Sequence, residues 1–540
     1  MPIPSAETDV VVLGSGAAGL TAALSAVTAG ATVTVVEKAA ELGGTTAVSG
    51  GMVWLPANPL AAAAGIEDSR EKALAYLGSL SNGTMRPEML EAFVDTVDEL
   101  LDWLHSRTPL RFQLMARYPD YHPEHPGALP GGRSLEPSLR SSDPLGPWVD
   151  KLVGEPRRML IQDIPSGGGT GVVAPDVLAQ REAEHVEGLG RGIVAGLLHG
   201  LLDAGVEPHL ETRATALVVE DGRVVGVRAV RAGDEVELRA RRGVVIATGG
   251  FDYDEGLATA FLRGPIAHPP GVRSNTGDGL RLAQSVGASL GAMAHAWWVP
   301  VVAPPGQFEP DGTQSSLLLI RERTMPGTIM VNRHGVRFAN EAANYNAFGA
   351  ALHSFDIEGF RYANIPAYLV LDRRAVETFG CFGSPAGQEP PGWLTRADSI
   401  AELAGKLDVP AAALEATVAR FNELVDGGRD LDFHRGNSLY DGWAGDQRFY
   451  GTPQATLGRI DEAPYYAATV HPSTLGTKGG PQTTIDGEVL HVDGHVIPGL
   501  YAAGNAMAAP TGIAYGGAGG TLGPAMVFAY RTGRALGRGT

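Results

Sequence analysis

The chain has 540 residues, so it is too long for a single hydrophobic core and two or more domains are expected. Apolar residues make up 44% and charged residues 19%, which is typical of a folded globular chain and excludes a disordered one. The net charge of −18 disfavours nucleic acid as a partner, and the single cysteine, Cys381, excludes an intramolecular disulfide.

The hydropathy pattern gives no sign of a membrane-bound or exported protein. No apolar run reaches the length of a transmembrane segment, and the N-terminus has no basic segment followed by an apolar core. A chain with one cysteine, which we interpret as a small buried apolar residue, also suits a reducing compartment. We therefore expect a cytoplasmic protein with no transmembrane segment.

The first predicted elements form a dinucleotide-binding unit. An apolar strand over residues 10–13 runs into the sequence G-x-G-x-x-G at residues 14–19. A helix after such a turn offers its N-terminal N–H groups to a pyrophosphate. A second apolar strand, Val33–Val36, is followed by Glu37, whose carboxylate can accept the ribose hydroxyls and would repel a 2′-phosphate. The spacing predicts one dinucleotide fingerprint.

A second cluster of small and hydroxyl residues follows at residues 43–51. Its hydroxyls and bare backbone N–H groups can contact a pyrophosphate and the edge of a flavin, whereas dehydrogenases that use only nicotinamide have no need of it. We therefore expect FAD in the fingerprint, and no rapid reduction by NADH. The candidate cofactor residues of the two motifs are Gly14, Ser15, Gly16, Ala17, Ala18, Gly19, Glu37, Lys38, Gly43, Gly44, Thr45, Thr46, Ser49, Gly50 and Gly51.

The following part of the chain is predicted to be mainly helical up to about residue 190 and to return to strands after it. The predicted elements, in order, are a helix over residues 87–105, a loop over 118–133, a helix over 188–205, a strand over 206–210, a hairpin over 214–227 with its turn at Asp221-Gly222, a buried strand ending in glycines over 243–250, and a helix that opens at 275–279. Further candidate cofactor residues here are Ala216, Ala247, Thr248, Gly249 and Asp278.

From residue 291 to residue 463 the pattern changes to strands and loops with an amphipathic helix over residues 409–427. Nucleotide-domain signals return after it, with the candidate cofactor residues Gly504, Asn505, Gly520 and Leu522. Because the two halves of one nucleotide site lie at opposite ends of the chain, we expect an α/β fold. A Rossmann-like domain formed by residues 1–290 and 464–540 would be interrupted by an inserted α+β domain formed by residues 291–463.

These motifs resemble those of the flavoproteins grouped with fumarate reductase, and most of all those of the 3-ketosteroid Δ1-dehydrogenases. The resemblance runs from Thr8 to about Leu536 and rests on the glycine motifs together with residues 247–250 and 332–341. It implies a Rossmann-like FAD domain interrupted by a catalytic domain that caps the substrate. It also implies non-covalent FAD, because Gly44 stands where the succinate dehydrogenase branch has the histidine that binds flavin covalently.

Three tyrosines carry the narrower resemblance. Tyr121, Tyr345 and Tyr515 each stand in a context similar to one that holds a catalytic tyrosine in the Δ1-dehydrogenases. The resemblance implies that a C=C bond is introduced beside a ketone: Tyr345 takes the α proton, Tyr121 assists it, and Tyr515 with the N–H of Gly519 stabilises the enolate oxygen. FAD takes the hydride. The implied partners are a small hydrophobic ketone, a 3-ketosteroid or a similar cyclic ketone, and an electron acceptor such as a quinone or an artificial dye.

Some residues depart from the family pattern. The family's third tyrosine is commonly followed by proline and preceded by a His-Thr pair, whereas here Gly516 follows and Ile513-Ala514 precede. This departure argues against a steroid as the substrate more than it argues against dehydrogenation as the reaction. Residues 52–55, Trp297-Trp298 and Phe348 are interpreted either as the lining of an apolar substrate pocket or as ordinary core.

Two alternative functions stay open at this point. A fumarate-reductase-like enzyme acting on an α,β-unsaturated substrate would need an arginine as proton donor, and Arg323 lies close to the expected segment but is offset by one position. A non-catalytic flavin-binding redox protein would need none of the three tyrosines. A metal enzyme is not favoured and no metal is expected, because the histidines are scattered and His122 and His125 have no partners at ligand spacing in the sequence.

Overall fold

The main sheet of the protein joins strands from both ends of the chain. The computed structural model describes residues 7–164, 167–169, 173–309 and 312–539. Five strands of this seven-stranded sheet are, in order across it, Val33–Val36, Thr8–Leu13, Asp234–Ile246, Val496–Ala502 and Glu488–Leu490. The first four of the five are parallel to one another, and the strand Thr8–Leu13 is buried along its whole length, as in a parallel sheet covered on both faces. The other two form an antiparallel extension, in which Arg223–Arg231 pairs with Asp234–Ile246 and Thr212–Glu220 pairs with Arg223–Arg231. The structure is the mixed α/β fold that the sequence predicts.

Three long helices pack beside this sheet, and the last one lies against the first. They are Ala17–Thr28, Leu189–Asp203 and Leu522–Arg538. The last helix approaches the first closely because Gly533 has no side chain: a Cβ there would lie 2.2 Å from the carbonyl O of Ala22. The C-terminal helix is thereby packed against the helix of the nucleotide-binding turn, although almost the whole chain separates them in sequence.

A second sheet is antiparallel and lies outside the main one. Its strands are, in order, Leu317–Leu318, Ala296–Val302, Tyr465–Thr477, Ala367–Asp372 and Thr328–Asn332, and Thr395–Ala397 also pairs with Tyr465–Thr477. The strand Tyr465–Thr477 therefore pairs with strands of the predicted insert, although it lies beyond the boundary predicted at residue 463. A boundary after this strand fits the pairing better, and the division into domains stays a proposal.

Smaller elements fill the rest of the described chain. The further α-helices are Gly44–Val48, Pro59–Ala63, Arg70–Leu80, Pro87–Asp95, Val97–Arg107, Pro175–Ala183, Glu255–Phe261, Asp278–Gln284, Tyr345–Ala351, Arg373–Phe379, Ile400–Leu407 and Ala411–Asp426. The further strands are Val53–Trp54, Phe112–Leu114, Ser134–Pro137, Arg140–Ser141, Val186–Glu187, Leu290–Gly291, Phe355–Asp356, Arg361–Tyr362 and Gly480–Pro481. Short 3-10 segments are Asp143–Lys151, Ile161–Asp163, Glu322–Thr324, Gln447–Phe449, Pro453–Ala455 and Gly504–Ala506. Within the described ranges, no helix is both long and apolar enough to cross a membrane.

Two predicted elements differ from the structure. The helix predicted over residues 87–105 is broken at Thr96, whose hydroxyl donates to the carbonyl O of Ala92 (2.7 Å) and competes with the helical backbone. The strand predicted over residues 206–210 is wrong, because His209 makes only an isolated bridge to Val36 and the regular strand begins at Thr212. The hairpin turn at Asp221-Gly222 is confirmed by the pairing of the strands on either side of it.

Candidate active site

The carboxyl ends of the four parallel strands lie at one edge of the main sheet. The register pairs Leu13 with Val36 and with Ile246, and Ile246 with Ala502. The loops that follow these four strand ends are therefore neighbours in space, and they include the glycine turns that were predicted to bind a cofactor. In open parallel sheets nucleotides bind at this edge.

The turn after the first strand exposes its backbone to a ligand. Gly14 has a φ of 104°, and a Cβ there would lie 2.4 Å from the carbonyl O of Ala247, so only glycine fits. At Gly16 the nearest neighbour of a Cβ would be Thr46 Oγ1 at 3.5 Å, which leaves this glycine open toward the cavity. The helix Ala17–Thr28 begins immediately after it. The turn and the positive end of this helix are suited to a pyrophosphate.

Glu37 joins the two glycine motifs at the cavity wall. Its Oε2 accepts hydrogen bonds from the N–H of Ser15 (3.1 Å) and from Ser15 Oγ (2.7 Å), and its Oε1 accepts one from the N–H of Ala39 (2.9 Å). Ser15 Oγ in turn accepts a hydrogen bond from the N–H of Gly43 (3.1 Å). A carboxylate has about four acceptor positions, so Glu37, which lines the cavity, keeps room for a ribose hydroxyl.

The second cluster folds as the short helix Gly44–Val48, which is bonded to loops on either side. Thr46 Oγ1 accepts from the N–H of Ala17 (3.1 Å), and Thr45 Oγ1 accepts from Asn275 Nδ2 (2.9 Å). Asn275 lines the same cavity and was missed by the prediction, although it stands three residues before the predicted Asp278. The cluster is thus held between the first glycine turn and the loop around Asn275.

Asp278 holds two cations at the cavity wall. Its Oδ2 lies 3.0 Å from Lys38 Nζ, and its Oδ1 lies 3.0 Å from Arg213 Nη2. Burial opposes the ionisation of Asp278, but the two cations outweigh it and hold the pKa of this carboxyl below its ordinary value. All three residues line the cavity. Arg213 was missed by the prediction, because the sequence of a strand does not show which residues face a ligand.

These elements surround one continuous cavity with a volume of about 410 Å³, and most predicted cofactor residues line it. Those residues are Gly14, Ser15, Gly16, Ala17, Ala18, Glu37, Lys38, Gly44, Thr45, Thr46, Ser49, Gly50, Gly51, Ala247, Thr248, Gly249, Asp278, Gly504, Asn505 and Leu522. Thr212 and Ala214 line it as well. The backbone turns, the acceptor on Glu37 and the helix end fit the diphosphate and ribose of a dinucleotide.

Four predicted cofactor residues do not line the cavity: Gly19, Gly43, Gly520 and Ala216. Gly19 serves packing, since a Cβ there would lie 2.0 Å from the carbonyl O of Gly14. Gly520 packs against the ring of Tyr515, and Gly43 lies next to Ala47 and Val194. Ala216 does not line the cavity, whereas Ala214, two residues earlier on the same strand, does. Position along a strand requires the register, which the sequence alone does not supply.

The three predicted tyrosines meet on the same cavity. The hydroxyl of Tyr121 donates to that of Tyr345 (2.9 Å), and the hydroxyl of Tyr345 donates to that of Tyr515 (3.1 Å). Thr521 Oγ1 adds a hydrogen bond to the hydroxyl of Tyr515 (3.3 Å). All three rings are buried, and burial raises the pKa of each phenol above its ordinary value. Their sequence contexts were predicted, but their mutual contact is shown only by the structure.

Contacts from separate segments hold the three rings in place. The N–H of Tyr121 donates to the carbonyl O of Gly516 (3.0 Å), the residue after Tyr515, and the hydroxyl of Tyr76 donates to the same oxygen (2.7 Å). Asn344 Nδ2 donates to the carbonyl O of Tyr121 (3.3 Å), and the Asn344 side chain also caps the helix that begins at Tyr345. Three distant segments are therefore bonded to one another beside the cavity.

Gly519 presents a backbone N–H to the cavity next to Tyr515. Its φ is 95°, and a Cβ there would lie 2.5 Å from the N of Val53, so glycine is required at this point. Its carbonyl O accepts from the N–H of Trp54 (3.0 Å). Its own N–H has no protein acceptor among the described residues. Gly519 lines the cavity, so this donor is available to a ligand oxygen.

An apolar wall extends the cavity beyond the tyrosines. It is formed by Met52, Tyr118, Ile161, Ile164, Leu189, Leu318 and Ile320. Of the residues predicted to line an apolar pocket, Met52 does so, whereas Trp54, Trp298 and Phe348 are buried among other core side chains. Trp297 packs its ring 4.7 Å from that of Tyr515. The wall suits a hydrophobic substrate.

Arg323 does not reach the cavity. It is fully buried, and its guanidinium donates to the carbonyl oxygens of Leu319 (2.8 Å), Ala343 (2.7 Å) and Glu341. These contacts fasten the segment before Tyr345 to the rest of its domain. An arginine with this role cannot protonate a substrate in the cavity, which argues against the fumarate-reductase-like alternative.

Other candidate chemical groups lie away from the cavity. Cys381 is buried, and burial raises the pKa of its thiol to about 12, so it is a packing residue as predicted. The expectation that His122 and His125 lack partners at ligand spacing is wrong, because Glu124 lies with them and their ligand atoms fall within 4.8 Å. Nδ2 of Asn344, however, faces Nε2 of His122 (3.2 Å). A second such group is His491, Asp493 and His495.

A dinucleotide cradle, a second cluster of small residues and a group of buried phenols thus share one cavity. A site that binds only nicotinamide has no need of the second cluster. Gly44 has no side chain that could form a covalent bond to a flavin. The fold and the site define a flavin-dependent oxidoreductase that binds FAD without a covalent bond.

Comparisons with known proteins narrow this class. The family profile described as "FAD binding domain" matches residues 9–522. The chain is 40% identical to 4-oxocyclohexanecarboxylate 2-dehydrogenase of Sinomonas cyclohexanicum, over 99% of this chain and 93% of that protein. It is also 40% identical to 3-oxosteroid 1-dehydrogenase of Mycobacterium tuberculosis, over 97% of both chains.

A solved structure agrees with these relatives. It is the 3-ketosteroid Δ1-dehydrogenase of Sterolibacterium denitrificans in complex with 1,4-androstadiene-3,17-dione, with a TM-score of 0.89, 34% identity and coverage of 99% of this chain and 100% of that one. The chain belongs to the FAD-binding family and, within it, to the group that contains the 3-oxosteroid 1-dehydrogenases. It is an FAD-dependent oxidoreductase that acts on CH–CH groups.

Proposed function

We propose that this protein introduces a C=C bond next to the carbonyl group of a cyclic ketone, and that Tyr121, Tyr345, Tyr515 and Gly519 carry out the proton and enolate chemistry. The observation that carries the proposal is the chain of hydroxyl contacts from Tyr121 through Tyr345 to Tyr515 beside the dinucleotide cradle. A protein that only binds FAD needs no such chain of buried phenols.

The reaction requires a base and an oxyanion site. Removal of a proton α to a ketone leaves negative charge on the carbonyl oxygen, so donors aimed at that oxygen lower the barrier. The hydroxyl of Tyr515 and the unpartnered N–H of Gly519 are two such donors on one wall. Tyr345, which contacts Tyr515, takes the α proton. Bound FAD supplies the acceptor for the hydride that leaves the β carbon.

Tyr121 makes Tyr345 a better base. Burial raises the pKa of Tyr345 well above its usual value, which disfavours the phenolate that must accept the proton. The hydrogen bond from Tyr121 works in the opposite direction, because it stabilises negative charge on the oxygen of Tyr345. Tyr121 can take up the proton from Tyr345 only after it has released its own proton, and the hydrogen bond between the two then runs in the opposite direction.

The substrate is a 3-ketosteroid or a similar cyclic ketone. A 3-oxosteroid and 4-oxocyclohexanecarboxylate, named for the two relatives, share a six-membered ring with a ketone. The apolar wall formed by Ile161, Ile164, Leu189 and their neighbours supports a hydrophobic ring system beyond that ring. The electrons leave to an acceptor of the quinone type, for which an artificial dye can substitute, and NADH is not a rapid reductant because FAD takes the one dinucleotide fingerprint.

A substrate screen tests the proposal. Ketosteroids and simple cyclic ketones are mixed with the oxidised protein without oxygen, and loss of flavin absorbance is followed, then turnover with a dye. At least one cyclic ketone is expected to bleach the flavin and to yield the α,β-unsaturated ketone. Tyr345→Phe should abolish this, whereas Tyr368→Phe, a tyrosine on a strand outside the cavity, should leave it unchanged. Bleaching by a saturated dicarboxylate such as succinate, but by no ketone, would overturn the proposal.

A further inference from the structure

Lys478 is a buried lysine that the chemistry above does not use. Its side chain is fully buried in the strand-end loop that follows Tyr465–Thr477. Its Nζ donates to the carbonyl oxygens of Gly512 (3.0 Å) and Ala514 (2.7 Å), and it lies 3.9 Å from the ring centroid of Trp297. No carboxylate pairs with it among the described residues. Burial alone lowers its pKa.

The two carbonyl oxygens belong to the segment that leads into Tyr515. Ala514 directly precedes Tyr515 in the chain, and its N–H donates to the carbonyl O of Thr511 (3.0 Å), which makes a tight turn. The N–H of Ala509 also donates to the carbonyl O of Lys478 (2.9 Å). Lys478 is thus bonded to the turn through Gly512 and Ala514 and to the chain just before the turn through Ala509.

The third neighbour of Lys478 contacts the catalytic and the cofactor residues together. The ring of Trp297 lies 4.7 Å from that of Tyr515 at an angle of 62°. Its Nε1 donates to Oδ1 of Asn505 (3.1 Å), a residue of the cofactor cradle. The Nζ of Lys478 thus lies against the face of an indole that itself contacts both regions. Lys478 is therefore linked to Tyr515 indirectly in two ways: it bonds to Ala514, the residue before Tyr515, and it packs on Trp297, whose ring contacts that of Tyr515.

We propose that Lys478 is a positioning residue that fixes the hydroxyl of Tyr515 for stabilisation of the enolate. It acts through the carbonyl oxygens of Gly512 and Ala514 and through Trp297, and it does not touch the substrate. This inference rests on the enolate role proposed for Tyr515. A lysine suits the task because its terminal nitrogen can donate to two carbonyl oxygens and still face the indole ring.

A purely structural role for Lys478 makes different predictions. Loss of a loop clamp would lower the melting temperature and the FAD content, and would weaken all ligands alike. A positioning role instead lowers kcat while KM and FAD content change little, since a misplacement of about 1 Å at a reacting centre costs up to about 100-fold in rate. We expect a fall in kcat of roughly 10- to 100-fold for Lys478→Met, which keeps the length of the side chain but removes its donors.

The decisive experiment is a double-mutant cycle on the holoenzyme. Lys478→Met and Tyr515→Phe are made singly and together, and kcat, KM, FAD content and exchange of the substrate's α hydrogen in deuterated buffer are measured. If Lys478 acts through Tyr515, Lys478→Met should cost less than about threefold in the Tyr515→Phe background. The exchange rate should fall with kcat in the single Lys478→Met variant. Lys406→Met, an exposed lysine elsewhere, is the matched control and should match the wild type.

The possible failures can be told apart. If Tyr515→Phe alone leaves turnover unchanged, the proposed role of Tyr515 is wrong. If Tyr515→Phe slows turnover but Lys478→Met costs the same factor in both backgrounds, or costs nothing, only the inference about Lys478 is overturned. Should Lys478→Met not fold, Lys478→Gln keeps a donor for one of the two carbonyl oxygens, and the same cycle with that variant decides the question.

Discussion

The cofactor cradle and the tyrosine group share a cavity but are built in different ways. The cradle consists mainly of backbone at the ends of parallel strands. Its glycines are needed because they have no side chain, as at Gly14, where a Cβ would clash with the carbonyl O of Ala247. The tyrosine group consists of side-chain hydroxyls from three distant segments that meet at Tyr345. Because of this difference, we expect that a tyrosine hydroxyl can be removed with loss of turnover on the ketone but without loss of FAD binding.

Tyr345→Phe should have the largest effect. The substitution removes the proposed base and keeps the ring, so packing should survive and FAD should stay bound. Turnover should fall by about 10²–10⁴-fold, as is typical for loss of a general base. Steady-state kinetics with a dye acceptor and the flavin content of the purified variant test both halves of this prediction. A variant that is slow only because it has lost FAD would contradict the separation of the two regions.

Tyr515→Phe should come next. It removes one donor to the enolate oxygen and leaves the N–H of Gly519 in place, so a cost of about 10²–10³-fold in kcat is expected. Binding of a ketone that cannot be dehydrogenated should change less than the rate does, because the donor works mainly on the charged oxygen. Equal losses in binding and in rate would mean that Tyr515 only shapes the pocket.

Glu37→Ala tests the cradle from the other side. It removes a carboxylate that accepts from Ser15 and has room for a ribose hydroxyl. FAD binding should weaken by about 1.5–3 kcal/mol, which titration of the apoprotein with FAD can measure. Turnover should return to nearly the wild-type value at saturating FAD. A persistent loss of kcat with the cofactor fully bound would show that the two regions are not independent.

Of the three tyrosine substitutions, Tyr121→Phe should have the smallest effect on rate, together with a clear effect on the pH profile. It removes the hydrogen bond that lowers the pKa of Tyr345, so that pKa should rise further. Because the base must be deprotonated to act, turnover should increase with pH, and the rise should shift to more alkaline pH in this variant. The loss near neutral pH should be about 10-fold, less than for Tyr345→Phe. An unchanged profile would remove Tyr121 from the account.

The same contrast explains how much the sequence could predict. The glycine turns, Glu37 and the second cluster follow from local spacing, and nearly all of these residues line the cavity. Arg213 and Ala214 line the cavity but are not predicted from the sequence. Which residues of a strand face a ligand depends on the register of the strand, and the sequence alone does not supply it. The strand Tyr465–Thr477 pairs with strands on the other side of the boundary predicted at residue 463, and such pairing with distant strands leaves no local signal in the sequence.

The tyrosines were found through a resemblance and not through their spacing. Residues as far apart as Tyr121 and Tyr515 carry no local signal that their hydroxyls meet, so physical reasoning on the sequence could not place them together. Lys478 is a second example. The sequence shows that Lys478 lies next to glycines, but its contacts with Ala514 and Trp297 depend on the folded structure.

The central claim is that Tyr345 takes the α proton, and hydrogen exchange tests it most directly. The oxidised enzyme is incubated in deuterated buffer with excess ketone and no electron acceptor, and deuterium in the recovered ketone is measured by mass spectrometry. The wild type should exchange the α hydrogen much faster than buffer alone, and Tyr345→Phe with its FAD retained should lose this exchange. If Tyr345→Phe exchanges the α hydrogen at the wild-type rate, Tyr345 is not the base.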